Sequence, residues 1–206
     1  MGCWAIVPIK AAAACKTRLA HVLGPDRREG LARRMLVQVV EAALAAPAIE
    51  RVLVVSPEQH ALPPGVVQLQ DIGCGLNEAL ELARGYARAA GATQLAVLAA
   101  DLPWLTAADI GTLVGAAAAG EMALACDRHG PGTNAVCLDA LLPFVFAFGA
   151  GSAARHAAEA ARRGLRVRRV AAAGLQFDID TGADLEWLQR RAAPRWPAAS
   201  PLAATR

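Results

Sequence analysis

The sequence predicts an α/β protein, a three-layer α/β/α sandwich around a mostly parallel central sheet. Three observations carry that expectation. Short β-rich runs alternate with longer Ala/Leu/Arg/Glu stretches, as when parallel strands are joined by crossover helices. Runs such as RVLVVS (Arg51 to Ser56) and QLAVLAA (Gln94 to Ala100) are continuously apolar rather than alternating, the mark of strands covered on both faces. Several strand ends carry polar or Gly-rich segments, and open sheets of this kind bind ligands beyond the carboxyl ends of their strands.

In chain order the expected strands are Trp4 to Ile9, Arg51 to Ser56, Val66 to Gln70, Gln94 to Ala100, Met122 to Cys126, Asn134 to Leu138 and Arg166 to Ala171. The intervening helices are Pro25 to Ala46, Leu76 to Ala90, Ala107 to Ala119, Ser152 to Arg163 and Ala183 to Arg191. Thr106 supplies a start signal for the third helix, and Ser152, after a Gly-rich turn, for the fourth. The 206 residues suit a single domain over 1–192 that can bury a sizeable core. The Pro/Ala-rich remainder, 193–206, is expected to be a disordered tail.

Composition excludes several classes. Apolar residues make up 55% of the chain, but no window reaches the roughly 18 uninterrupted apolar residues of a membrane span. The N-terminus lacks the basic region and small-residue cleavage site of a secretory signal, so a cytoplasmic protein is expected. Cys3, Cys15, Cys74, Cys126 and Cys137 are odd in number and contain no CxxC pair, which argues against a disulfide framework or a zinc site and for buried apolar thiols. A net charge of +3 with scattered arginines, and aromatics at only 4%, make nucleic acid an unsuited partner.

The chemistry-bearing residues lie at the strand ends. PIKAAAACKTR places Lys10, Lys16 and Arg18 on a loop of small side chains, where backbone N–H groups approach phosphate oxygens, lysines act as point charges and an arginine as a bidentate fork. The GxxxxGK[ST] glycines are absent, so this is no Walker loop, and alone it is equally a solvated basic turn. DIGCGLN, from Asp71, puts Gly73 and Gly75 ahead of a helix, where a base or ribose can lie against backbone and Asn77 can read a base edge; an ordinary strand-to-helix turn explains it as well. In ADLPWL, Asp101 stands at a strand tip that Pro103 terminates, a place for a hard cation or for a turn cap. FDIDTGADL alternates Asp178 and Asp180 with Phe177 and Ile179, which puts both carboxylates on one face of an extended segment. Thr181 is then a helix cap and Asp184 falls in the first helical turn. HGPGTN and FGAGS complete the set, and Ser152 opens a helix as an anion site or a plain cap. The histidines form no constellation and GxSxG is absent; His156, one turn after Ser152, is the one that invites a test.

Taken in order, PIKAAAACKTRL, DIGCGLN, ADLPWL, GTNAV, FGAGS and DIDTGADL resemble the guanylyltransferases of deazaflavin coenzyme (F-420) biosynthesis from Pro8 to Leu185. The resemblance implies a Rossmann-like nucleotidyltransferase fold, shared with molybdenum-cofactor guanylyltransferase. It implies that Pro8, Lys10, Lys16, Arg18, Ser56, Asp71, Gly73, Gly75 and Asn77 receive GTP, with the three cations on its phosphates. Asp101 and Asp180 would hold Mg²⁺, with Lys10, Lys16, Arg18 and Asp101 as the catalytic set. Thr133, Gly149 and Ser152 would take a three-carbon phosphorylated acid: 2-phospho-L-lactate, phosphoenolpyruvate or 3-phospho-D-glycerate. The product would be the guanosine diphospho derivative of that acid, with pyrophosphate released. Three positions depart from the family pattern: Cys15 stands for a common alanine, Ala153 for a phenylalanine and Gly182 for a proline. Another nucleotide, a cofactor or sugar phosphate as acceptor, and a non-catalytic nucleotide-binding module stay open as alternatives, as does a homodimer.

Overall fold

The computed structural model describes residues 2–11, 15–71 and 75–190, so Gly73 and the expected tail at 193–206 lie outside the described residues. The elements are β1 (Cys3–Pro8), α1 (Pro25–Leu44), β2 (Ile49–Ser56), β3 (Val66–Gln70), α2 (Leu76–Ala89), β4 (Gln94–Leu98), α3 (Ala107–Gly115), β5 (Glu121–Cys126), β6 (Thr133–Asp139), α4 (Ser152–Arg162), β7 (Arg166–Arg169), α5 (Ala173–Gln176) and α6 (Gly182–Arg190). Local chemistry explains several boundaries. Pro25 opens α1 behind Gly24, where its missing N–H is no loss. Thr106 and Asp109 form a reciprocal capping box at the start of α3. That helix stops at Gly115, short of Ala119, because it holds two glycines in nine residues and the chain turns at Gly120, whose φ is 76°. One helical turn, α5, was not expected from the sequence; four residues are too few to show a period.

The seven strands form one sheet in the order β3-β2-β1-β4-β6-β5-β7. β1 pairs parallel with β2 and β4, β2 with β3, and β5 with β7, whereas β6 runs antiparallel to both its neighbours. This confirms the mostly parallel sheet and adds a reversal. Because β6 is inverted, its first residues, Thr133 and Asn134, lie at the edge where β1, β4 and β5 end; Leu98 is opposite Ala135.

Alternate residues of each central strand feed two cores, the period-two consequence of strand geometry. On one face Ala5, Val7, Val52, Val54, Ala96 and Leu98 pack with Leu36, Val39 and Val40 of α1 and Ile110 and Leu113 of α3. On the other Trp4, Ile6, Leu53, Val55, Leu95 and Val97 pack with Leu80 and Ala83 of α2 and Ala160 of α4. Each large apolar side chain buried this way contributes about 1.5–3 kcal/mol. A smaller cluster of Leu19, Met35, Phe177, Ile179 and Leu188 sits beneath the loops at the carboxyl edge. It anchors the segments that carry the site.

Candidate active site

β1 ends at Pro8, and beyond Cys15 the chain forms a single 3₁₀ turn, Thr17–Leu19. Leu19 is wholly buried in the small cluster, which pins the turn and presents Lys16 and Arg18 to the edge of the sheet. Lys16 is in the left-handed region, with φ 52°, and is the one non-glycine residue at positive φ among those described. Its ammonium, almost fully buried, donates to Asp101 Oδ2 and, at 3.1 Å, to Asp180 Oδ1. Burial opposes its charge, yet the Asp101 and Asp180 carboxylates win and hold the Lys16 ammonium above its ordinary range. Arg18 reaches Asp180 Oδ2 at 3.5 Å.

Asp101 follows β4 by three residues, and the backbone between is fixed by Ala99 N–H donating to the carbonyl of Asn134 at 2.8 Å. Asp178 and Asp180 flank buried Ile179 on an extended segment, so both carboxylates face Asp101, as the alternation predicted. One oxygen from each of the three acids lies within 4.8 Å of the others. Burial, with help from the adjacent Asp101 and Asp180 carboxylates, pushes the Asp178 carboxyl up to about 6. Asn134 donates to Asp178 at 3.3 Å. Asp184 holds the segment from below: it accepts from Asp180 N at 2.9 Å and from Thr181 N at 2.6 Å, and it pairs with Arg128. Thr181 accepts weakly from Asp184 N at 3.4 Å, in keeping with a capping role.

A third segment, 147–152, closes the far side. Gly149 and Gly151 adopt φ of 119° and 69°, conformations open to glycine, and Gly151 rather than Ser152 occupies the cap position of α4. Ser152 is the first helical residue and is buried. Ala153 N–H donates to the carbonyl of Pro131 at 3.1 Å, tying this segment to the turn before β6. Asn77, at the start of α2, donates to the Phe148 carbonyl at 3.3 Å and accepts from Phe148 N at 2.8 Å. Arg155 donates to the carbonyls of Ala147 and Ala150.

These segments surround one cavity of about 730 Å³. Pro8, Lys10, Lys16, Arg18, Asp101, Thr133, Gly149, Ser152 and Asp180 all line it. Ser56, Asp71, Gly75 and Asn77 do not. Ser56 lies buried at the end of β2, where its hydroxyl meets His60 Nε2 at 2.8 Å and its carbonyl accepts from Asp71 N at 3.0 Å. Burial lowers the His60 pKa. Gly75, φ 125°, precedes α2. Asp127 and Asn134 also border the cavity, and sequence reasoning did not single them out. Asp127 accepts from Gly132 N at 2.9 Å, so its work is to shape the turn that delivers Thr133. Of the described cysteines Cys3 and Cys137 are buried, but Cys15 and Cys126 are only half-buried, because both stand at strand or loop ends.

The mostly parallel seven-stranded sheet flanked by helices has the fold of nucleotidyl transferases. It superposes on a nucleotidyl transferase from Methanothermobacter thermautotrophicus with a TM-score of 0.64, at 16% identity, over 92% of this chain and 96% of that one. The chain belongs to the family of CofC-like guanylyl transferases, whose model matches residues 3–189. It is 47% identical over 191 residues to the phosphoenolpyruvate guanylyltransferase of Sphaerobacter thermophilus, covering 89% of this chain and 91% of the relative. The phosphoenolpyruvate guanylyltransferase of Rubrobacter xylanophilus is 40% identical over 194 residues, or 92% of this chain and 94% of the relative.

Proposed function

We propose that this protein transfers the GMP group of GTP to the phosphate of a small three-carbon phosphorylated acid, releasing pyrophosphate, as a step in deazaflavin coenzyme assembly. Phosphoenolpyruvate is the first candidate acceptor, from the names of the relatives; 2-phospho-L-lactate and 3-phospho-D-glycerate are the others. The observation that carries the reading is the single cavity in which the cation loop and three carboxylates face the Thr133, Gly149 and Ser152 rim.

The residues suit Mg²⁺. Asp101, Asp178 and Asp180 offer three hard oxygen donors within 4.8 Å of one another, and burial first, then the neighbouring Asp101 and Asp180 carboxylates, raise the Asp178 pKa. Asp101 and Asp180, with Asp178 as a third donor, would hold the ion, which would neutralise charge on the nucleotide phosphates. The acceptor phosphate is ionised at neutral pH and attacks the α-phosphorus without a general base. Lys10, Lys16 and Arg18 stabilise charge on the departing pyrophosphate, and the rim orients the acceptor. Ser56, Asp71, Gly75 and Asn77 are assigned to the nucleotide on the family resemblance alone, since they lie outside the lining of the cavity.

The test is mass spectrometry of products after the protein is incubated with GTP, Mg²⁺ and the three acids in competition. A guanosine diphospho adduct of one of them is expected. Pyrophosphate release from a different nucleoside triphosphate, or none from any, would overturn the assignment.

A further inference from the structure

We infer that His156 is a positioning residue for the acceptor, fixing the Thr133 hydroxyl as a hydrogen-bond donor that points into the cavity. The inference rests on the guanylyl-transfer reading above. His156 is wholly buried on α4 behind the rim and does not line the cavity. Its Nε2 lies 3.0 Å from Ala147 N, and a backbone N–H can only donate, so Nε2 carries a lone pair. A neutral imidazole then has its proton on Nδ1, 3.1 Å from Thr133 Oγ1, and donates it there. Burial, and secondarily the Arg155 guanidinium, keep the ring neutral.

The consequence falls on Thr133. Its oxygen already accepts from His156, so its own proton is free to be donated, and the cavity that Thr133 lines is where an acceptor would meet it. A threonine not held this way could as readily turn an oxygen lone pair towards an anionic acceptor, which is repulsive. The same imidazole holds Ala147, the first residue of the 147–152 segment, so one side chain sets both the hydroxyl and the backbone of the rim. Phe144 and Phe148 pack against the ring with centroids 5.8 and 4.7 Å away, which opposes its rotation, while the Ala147 N–H fixes its tautomer.

Steady-state kinetics on the full chain with GTP, Mg²⁺ and phosphoenolpyruvate, or whichever acid the wild type turns over, tests this. His156→Phe and Thr133→Val should each raise the acceptor KM about tenfold or more, the loss of one hydrogen bond to a charged group, with the GTP KM little changed. The double variant should be no worse than the poorer single one. Thr133→Ser should restore most of the affinity lost in Thr133→Val. Long-range ¹⁵N–¹H correlation spectra of the wild type should show His156 protonated at Nδ1 alone; this reading does not depend on any variant folding. Protonation at Nε2, an unchanged acceptor KM in His156→Phe, or equal rises in both KM values would overturn the positioning role. A wild type that releases no pyrophosphate with any acid overturns instead the functional reading on which it rests.

Discussion

Lys16 shows at the scale of one residue how charge outweighs local preference. A left-handed backbone costs a residue with a Cβ about 1–2 kcal/mol, and burying an ammonium costs more. Both penalties are offset because Asp101 and Asp180 meet the same Nζ, so the pair of acids and the loop specify each other's positions. The proposed metal role makes Asp101 the residue whose charge matters most to turnover. Asp101→Asn preserves shape and the hydrogen-bonding oxygen, so the fold should survive. Turnover should fall on the order of a hundred- to thousandfold, the usual cost of removing one preorganised electrostatic contact. Thermal melting beside pyrophosphate release checks it; near-normal release from folded Asp101→Asn would refute the assignment. Asp101 and Asp180 were legible in the sequence because each sits where a strand or an extended run stops. Asp178's part was only half legible: alternation put it on the same face as Asp180, but its burial and its contact with Asn134 depend on β6, which is far away in sequence.

Among elements, the 147–152 segment is held by its neighbours more than by itself. Asn77 of α2 pairs with both polar backbone atoms of Phe148, Arg155 of α4 reaches two carbonyls, and Pro131 receives Ala153 N–H. A helix expected to face the nucleoside is thereby coupled to the rim expected to face the acceptor. Two readings of Asn77 can be separated. If its amide works through Phe148, Asn77→Ala should raise the acceptor KM about fivefold to tenfold, as loss of one to two ordinary hydrogen bonds would, and move the GTP KM less. A base-reading role predicts the reverse, with guanine-over-adenine selectivity falling. Kinetics with GTP and ATP decide between them. The motifs FGAGS and DIGCGLN announce turns in the sequence, but nothing in either string says that they touch, because contact between α2 and the segment before α4 is set by the order of strands in the sheet.

Across the whole molecule, that strand order is what the sequence could not show. Apolar runs announce buried strands, but they do not reveal that β6 is inverted between β4 and β5, and the inversion is what brings Thr133 and Asn134 to the edge where the cation loop and the carboxylates lie. It also brings Thr133 against His156, whose burial gives the global stability a pH dependence that can be worked out. Burial lowers the His156 pKa from 6.5 to about 4, so between those values the unfolded chain binds a proton that the folded chain does not. The stability His156 contributes is therefore present above about pH 6.5 and is lost as pH falls towards 4, by up to about 3 kcal/mol. Asp178 runs the other way. Its folded pKa, raised to about 6, favours the folded state at low pH, and that contribution is lost as pH rises through 6. In magnesium-free buffer the two slopes oppose each other across the same window, so the wild type should show a shallow dependence there. His156→Phe removes one slope and leaves the other. Urea unfolding at pH 7 and pH 4.5 should then find the variant losing less stability on acidification than the wild type, or gaining some. Equal pH slopes for the two proteins would mean that the His156 imidazole is not held neutral by the fold.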